Sequence, residues 1–136
     1  MNNNHCAKNY RPGLILLWLL IALLIGLHAE PASAAHKHTE RWYQEQWCTE
    51  GQMEYQLPDH TRVDCLTDTH AVEVDFAKKW YEGYTQARWY AIHTSRRAAL
   101  LLIIEKETDL VYFHRAQTLA TMTADHIDIW IIRSPD

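Results

Sequence analysis

Glycine and proline are scarce, with four of each in 136 residues. After residue 34 only Gly51, Gly83, Pro58 and Pro135 remain. No internal repeat, low-complexity stretch or interdomain linker interrupts the chain, so its length leaves room for one domain. A basic excess is also lacking: 13 Lys and Arg stand against 17 Asp and Glu. The overall basic footprint usual in a nucleic-acid binder is therefore missing. Between Arg62 and Arg97 the balance turns, with six basic residues against five acidic ones, and local distribution matters more than the total. Metal-ligand spacing is absent among His70, His93, His114 and His126, which read as surface or satisfied polar residues. His36 and His38 fall in a polar start expected to be disordered.

What is present begins with an apolar run from Leu14 to Leu27, preceded by Lys8 and Arg11 and followed by Pro31 and Ala32-Ser33-Ala34-Ala35. A basic start, an apolar middle and an Ala-x-Ala end make a secretory signal peptide. The expected cut follows Ala34, with Ala35 next, giving a signal peptide over 1–34 and a domain over 35–136. The other reading is an uncleaved membrane anchor, but the run is shorter than the ~20 residues of a spanning helix. Export predicts a periplasmic or secreted protein without stable membrane association. Taking away Lys8, Arg11 and Glu30 leaves 11 basic residues against 16 acidic ones, a net charge of −5.

Cys6 precedes the apolar run and is not placed as a lipid-attachment cysteine. Cys48 and Cys65 remain after cleavage. In an oxidising compartment they are expected to pair, closing a loop of about 17 residues.

Along the domain, Thr39 caps a short helix to about Cys48. Met53–Leu57 and Arg62–Leu66 read as a hairpin about the turn Pro58–His60. His70–Phe76 is a third strand, with Ala71, Glu73 and Asp75 on one face and Val72, Val74 and Phe76 on the other. From Lys78 to about Thr94 the pattern becomes helical, with Trp80, Tyr84, Ala87 and Ala91 as the core stripe. Ala98–Ile104 is apolar almost throughout, as in a central strand buried on both faces. A helix from Asp109 to about Met122, capped by Thr108, and a strand from Ile127 to Ile132 complete the order α-β-β-β-α-β-α-β. That order predicts an α/β domain with a hairpin-fed mixed sheet.

The chemistry-bearing residues gather on the second and third strands. Asp64, Glu73 and Asp75 offer oxygen ligands of the kind that suit Mg²⁺ or Mn²⁺. A metal so held can polarise a phosphate and activate water. On the following helix Lys79, Gly83, Gln86 and Tyr90 form a row beside the core stripe. Lysine there could stabilise developing charge, Gly83 would allow close backbone approach, and Gln86 and Tyr90 could orient a phosphodiester. The tryptophans read as core, although Trp89 and Tyr81 suit exposure.

Taken together, Arg62–Thr67, Ala71–Trp80 and Gln86–Tyr90 resemble the PD-(D/E)xK, or restriction-endonuclease-like, nucleases. The resemblance covers roughly Glu54 to Ile104. It implies that Asp64 is the motif aspartate, that Glu73 is the acidic residue two before the motif lysine, and that Gln86 and Tyr90 form the Q-xxx-Y helix motif. Glu54 on the first strand is implied as an auxiliary acid. One position departs: where the family carries its lysine this chain has Asp75, so either Lys79 or Lys78 supplies the charge, or the site is inactive. Two functions follow: an exported Mg²⁺- or Mn²⁺-dependent nuclease acting on DNA, or a non-catalytic binding module of the periplasm that keeps the nuclease fold.

Overall fold

The computed structural model describes residues 35–135; the expected signal peptide, residues 1–34, lies outside them. Helix α1 (Glu40–Trp47) starts where expected. The Thr39 hydroxyl oxygen accepts the Trp42 amide at 3.3 Å, satisfying one donor that a helix start leaves free. The Cys48–Cys65 disulfide is formed, with its Cα atoms 5.8 Å apart. Gly51 passes directly over it: a Cβ there would meet Cys65 Sγ at 2.5 Å.

Strands β1 (Gln52–Gln56) and β2 (Arg62–Leu66) form the hairpin, and β3 (His70–Phe76) runs antiparallel to β2. A 3-10 turn over Ala77–Lys79 leads into helix α2 (Trp80–Thr94). This helix returns the chain so that β4 (Arg97–Ile104) pairs in parallel with β3. Helix α3 (Leu110–Thr123) does the same for β5 (Ile127–Arg133). The result is one mixed five-stranded sheet in the order β1-β2-β3-β4-β5, the α/β domain expected from the pattern. Among the described residues no helix is long and apolar enough to cross a membrane.

Strand β4 explains its own composition. Leu100, Leu102 and Ile104 pack with Tyr84 and Ala87 of α2 and Ala116 of α3. Ala99, Leu101 and Ile103 pack on the other side with Tyr43 of α1. A strand covered on both faces has no position for a polar residue, hence the unbroken apolar run.

Two expectations fail. Thr108 caps nothing; it lies inside a 3-10 turn over Glu107–Asp109. The Asp109 carboxylate instead accepts the amides of Glu105 at 3.2 Å and Lys106 at 3.0 Å, charge-assisted bonds that fix the turn. The polar start is ordered too. Glu105 binds His36 Nδ1 at 2.7 Å and accepts the Lys37 amide at 2.8 Å and the Tyr43 hydroxyl at 3.1 Å.

Candidate active site

The site lies where the pleat of the β1–β2 hairpin is interrupted. Met53 and Tyr55, two apart on β1, should share a face. Instead Met53 packs on the α1 side and Tyr55 on the α2 side. Between them Glu54 adopts φ 52°, a left-handed backbone uncommon for any residue but glycine. Opposite it, Cys65 and Val63 divide in the same way across Asp64. The ladder between β2 and β3 registers Cys65 with Val72 and Leu66 with Ala71. Towards the other end of β2, the Val74 N–H donates to Asp64 Oδ2 at 2.7 Å. The aspartate thus holds by its side chain a β3 amide that a neighbouring strand would otherwise take.

Asp64, Glu73 and Asp75 are all buried, at 9, 6 and 4% exposure. Glu73 Oε2 and Asp75 Oδ1 have no hydrogen-bond partner. Burial comes first in raising the Glu73 carboxyl far above the usual carboxylate range, followed by the charges of Asp64 and Asp75. Burial likewise pushes Asp64 up, although the Val74 amide and the Gln44 side chain favour its charged form. Asp75 is pushed up to about 7 by burial and by Glu40, against the pull of Lys79. Unpartnered buried carboxyl oxygens are costly; together these groups form an acidic pocket with a single ammonium, Lys79, at its edge.

Lys79, at the entry to α2, stands 3.5 Å from Asp75 Oδ1 and 4.0 Å from Glu40 Oε2. Gly83, one helical turn on, lets α2 lie against Asp75: a Cβ there would sit 3.3 Å from Asp75 Cβ. Tyr90 is buried, and its hydroxyl is held in the neutral form by that burial and by the charges of Glu73 and Asp64. Glu54 is half-buried, adds its charge to the field on Asp64, and pairs with Arg62 at 3.5 Å. Gln86 is exposed on α2, and no hydrogen bond joins it to the carboxylates among the described residues. The sequence-based set is therefore brought together except at Gln86.

Sequence reasoning placed α1 but missed its residues at the site. Gln44 is 3% exposed, its Oε1 lacks a partner, and it acts on Asp64. Glu40 faces Lys79 and Asp75, and burial raises its own carboxyl. Their i, i+4 spacing on one helix was the available signal, with nothing local to say which strands the helix covers.

Among the described residues no three His, Cys, Asp or Glu side chains stand together as a ready-made metal cage. The donors on offer are Asp64 and Glu73 from adjacent strands, with Asp75 beside Lys79. One or two carboxylates suffice for Mg²⁺, which keeps several waters and takes other ligands from a substrate phosphate. The residues present fit that mode and would not fit a dedicated all-protein cage. The chain matches no family model, no curated protein and no solved structure.

Proposed function

We propose that the protein is an exported nuclease of the PD-(D/E)xK type, hydrolysing phosphodiester bonds of DNA with Mg²⁺ or Mn²⁺. The observation that carries this reading is the pair of buried carboxyls from adjacent strands, Asp64 and Glu73, the second with Oε2 unpartnered, and the Lys79 ammonium at their edge. Such a pocket suits a cation, and an ammonium beside it suits the anion that the cation brings.

In this reading Asp64 and Glu73 hold the metal, which when bound polarises the phosphoryl group and activates water. Val74 N–H fixes the Asp64 carboxylate in place. Lys79 offers its charge to the non-bridging oxygens. Tyr90, kept protonated beside Glu73, donates a hydrogen bond. Glu54 acts as the auxiliary acid, and Gln86 meets the phosphate from the exposed rim of α2. The order of elements from α1 to β4 agrees with the resembled fold. The Cys48–Cys65 disulfide agrees with an oxidising compartment.

A second reading is the inactive binding module. Asp75 stands at the motif-lysine position and holds Lys79 at 3.5 Å, so part of the cation's charge is already spent. The deciding experiment is cleavage of plasmid and single-stranded DNA by the full chain in Mg²⁺ and in Mn²⁺, beside Glu73→Ala. Metal-dependent cleavage lost in Glu73→Ala supports the nuclease. Folded protein that cuts neither substrate leaves the binding module.

A further inference from the structure

The two edges of the sheet differ. At β1 the ladder to β2 leaves Glu54 and Asp64 out of register, and Glu54 turns into the left-handed region. A kink and a charge of this kind are how proteins blunt an edge strand. At β5 every residue from Ile127 to Arg133 keeps its register with β4. The strand holds no proline or glycine, and Ile129-Trp130-Ile131-Ile132 carries no charge. These four side chains are half-buried, Ile129 and Ile131 on the side of α2 and α3, Trp130 and Ile132 on the side of α1. The charges towards the strand ends are matched within the chain, Asp128 by Arg97 at 2.7 Å and Arg133 by Glu107 at 2.9 Å.

The outer row of backbone groups follows from the inner one. The Ser134 N–H donates to the Ile104 carbonyl at 3.0 Å, and backbone groups alternate sides along a strand. Those of Asp128, Trp130 and Ile132 therefore turn towards β4, and those of Ile127, Ile129, Ile131 and Arg133 point outward. Among the described residues β5 pairs with no strand but β4, and no other backbone or side-chain group bonds to the outward row.

We infer that β5 pairs antiparallel with β5 of a second copy of this chain, joining two five-stranded sheets into one. A two-fold axis beside Trp130 sets Ile129 opposite Ile131, and Ile127 opposite Arg133, of the second copy. All four belong to the outward row, so each pair exchanges two hydrogen bonds, about eight in all. Trp130 meets its own counterpart in the pair between them, which is not hydrogen-bonded and brings side chains closest; aromatic pairs there stabilise a sheet. The occupant is this same strand because its outward row is complementary to itself and closes in one two-fold contact. The interrupted β1 edge offers no such row, which disfavours an open chain of copies built by β5 on β1. Strand β3, with Glu73 and Asp75, lies two strands inward, about 10 Å from β5. The pairing is independent of the nuclease reading.

The test is sedimentation equilibrium of the full chain over a dilution series, with amide hydrogen exchange on the same samples. A dimer is expected. In it the amides of Ile129 and Ile131 exchange slowly and become fast on dilution, while those of Trp130 and Ile132 stay protected throughout. Proline is tolerated on an edge where the N–H faces outward. Ile131→Pro is thus expected to keep the fold and weaken dimerisation roughly thirtyfold, the loss of two hydrogen bonds. Should that variant fold poorly, the exchange pattern of the wild type decides. A monomer at every concentration up to about 100 µM overturns the pairing. So does a dimer whose Ile129 and Ile131 amides exchange freely, because its contact lies elsewhere. Slow exchange of these amides in a monomer gives the edge to a segment of the same chain, and assemblies that grow beyond the dimer give it to an open contact; either overturns the two-fold pair.

Discussion

Lys79 Nζ stands 3.5 Å from Asp75 Oδ1 across the junction of β3 and α2. The strand position that carries lysine in the resembled family holds a carboxylate here, and the ammonium reaches it from the start of the helix. The neighbouring Lys78 makes no ion pair among the described residues. On the proposed nuclease reading, Lys79→Met is expected to lower the cleavage rate by about 10²–10³-fold, the cost of removing a donor aimed at developing charge. Lys78→Met should change it little. Equal losses in the two variants would assign the charge to neither.

The buried carboxyls link stability to pH. Asp64 and Asp75 are each pushed up to about 7, chiefly by burial, and Glu73 is raised further. A carboxyl whose folded pKa exceeds its unfolded value of about 4 holds its proton more tightly in the folded state. Its contribution to stability is full below about pH 4 and falls as pH rises through the folded pKa. In EDTA the melting temperature is therefore expected to drop between about pH 5 and about pH 8, and Mg²⁺ should restore it at the upper end. Glu73→Gln should flatten the slope and abolish the restoration. A wild-type profile as flat as that of Glu73→Gln would show that the acids are solvated.

Glu54 tests whether the interrupted pleat is strained. Its φ of 52° suits glycine and penalises β-branched residues. Glu54→Val, which strand propensity alone would favour, is expected to cost about 1–3 kcal/mol. Glu54→Gly should cost nothing in stability while weakening cleavage through the lost acid. Denaturant midpoints for the two variants decide it, and a Val variant as stable as the Gly one would remove the strain.

Gly83 lies where propensity and packing oppose one another. Alanine is the better helix former, yet its Cβ would stand 2.7 Å from Leu100 Cδ1 and 3.3 Å from Asp75 Cβ. Overpacking wins, at a cost of about 1–3 kcal/mol, and α2 is lifted from Asp75. Gly83→Ala should thus be both less stable in urea and slower in cleavage. A stabilised variant would show that α2 has room to move.

The Cys48–Cys65 bridge closes a loop of 17 residues beside Asp64. Reducing it is expected to lower stability by about 3 kcal/mol, read as a shift in the urea midpoint with and without reductant. An unmoved midpoint would mean that the packing of α1 holds the loop unaided.

Most of the frame was legible along the chain. Strand alternation put Glu73 and Asp75 on one face, and helical spacing put Tyr84 and Ala87 in the core. The unbroken Ala98–Ile104 run marked the central strand, from which the order of elements followed. These features depend on which neighbours share a face, and that is a local property of the backbone. Only the tertiary structure decided the rest. It broke the pleat at Glu54 and Asp64, brought Glu40 and Gln44 of α1 to the carboxylates, paired Lys79 with Asp75, and left Gln86 at the surface. Depth beneath a covering helix depends on contacts between residues far apart in the chain, and depth is what raises the pKa of a carboxyl and leaves its oxygens unpartnered.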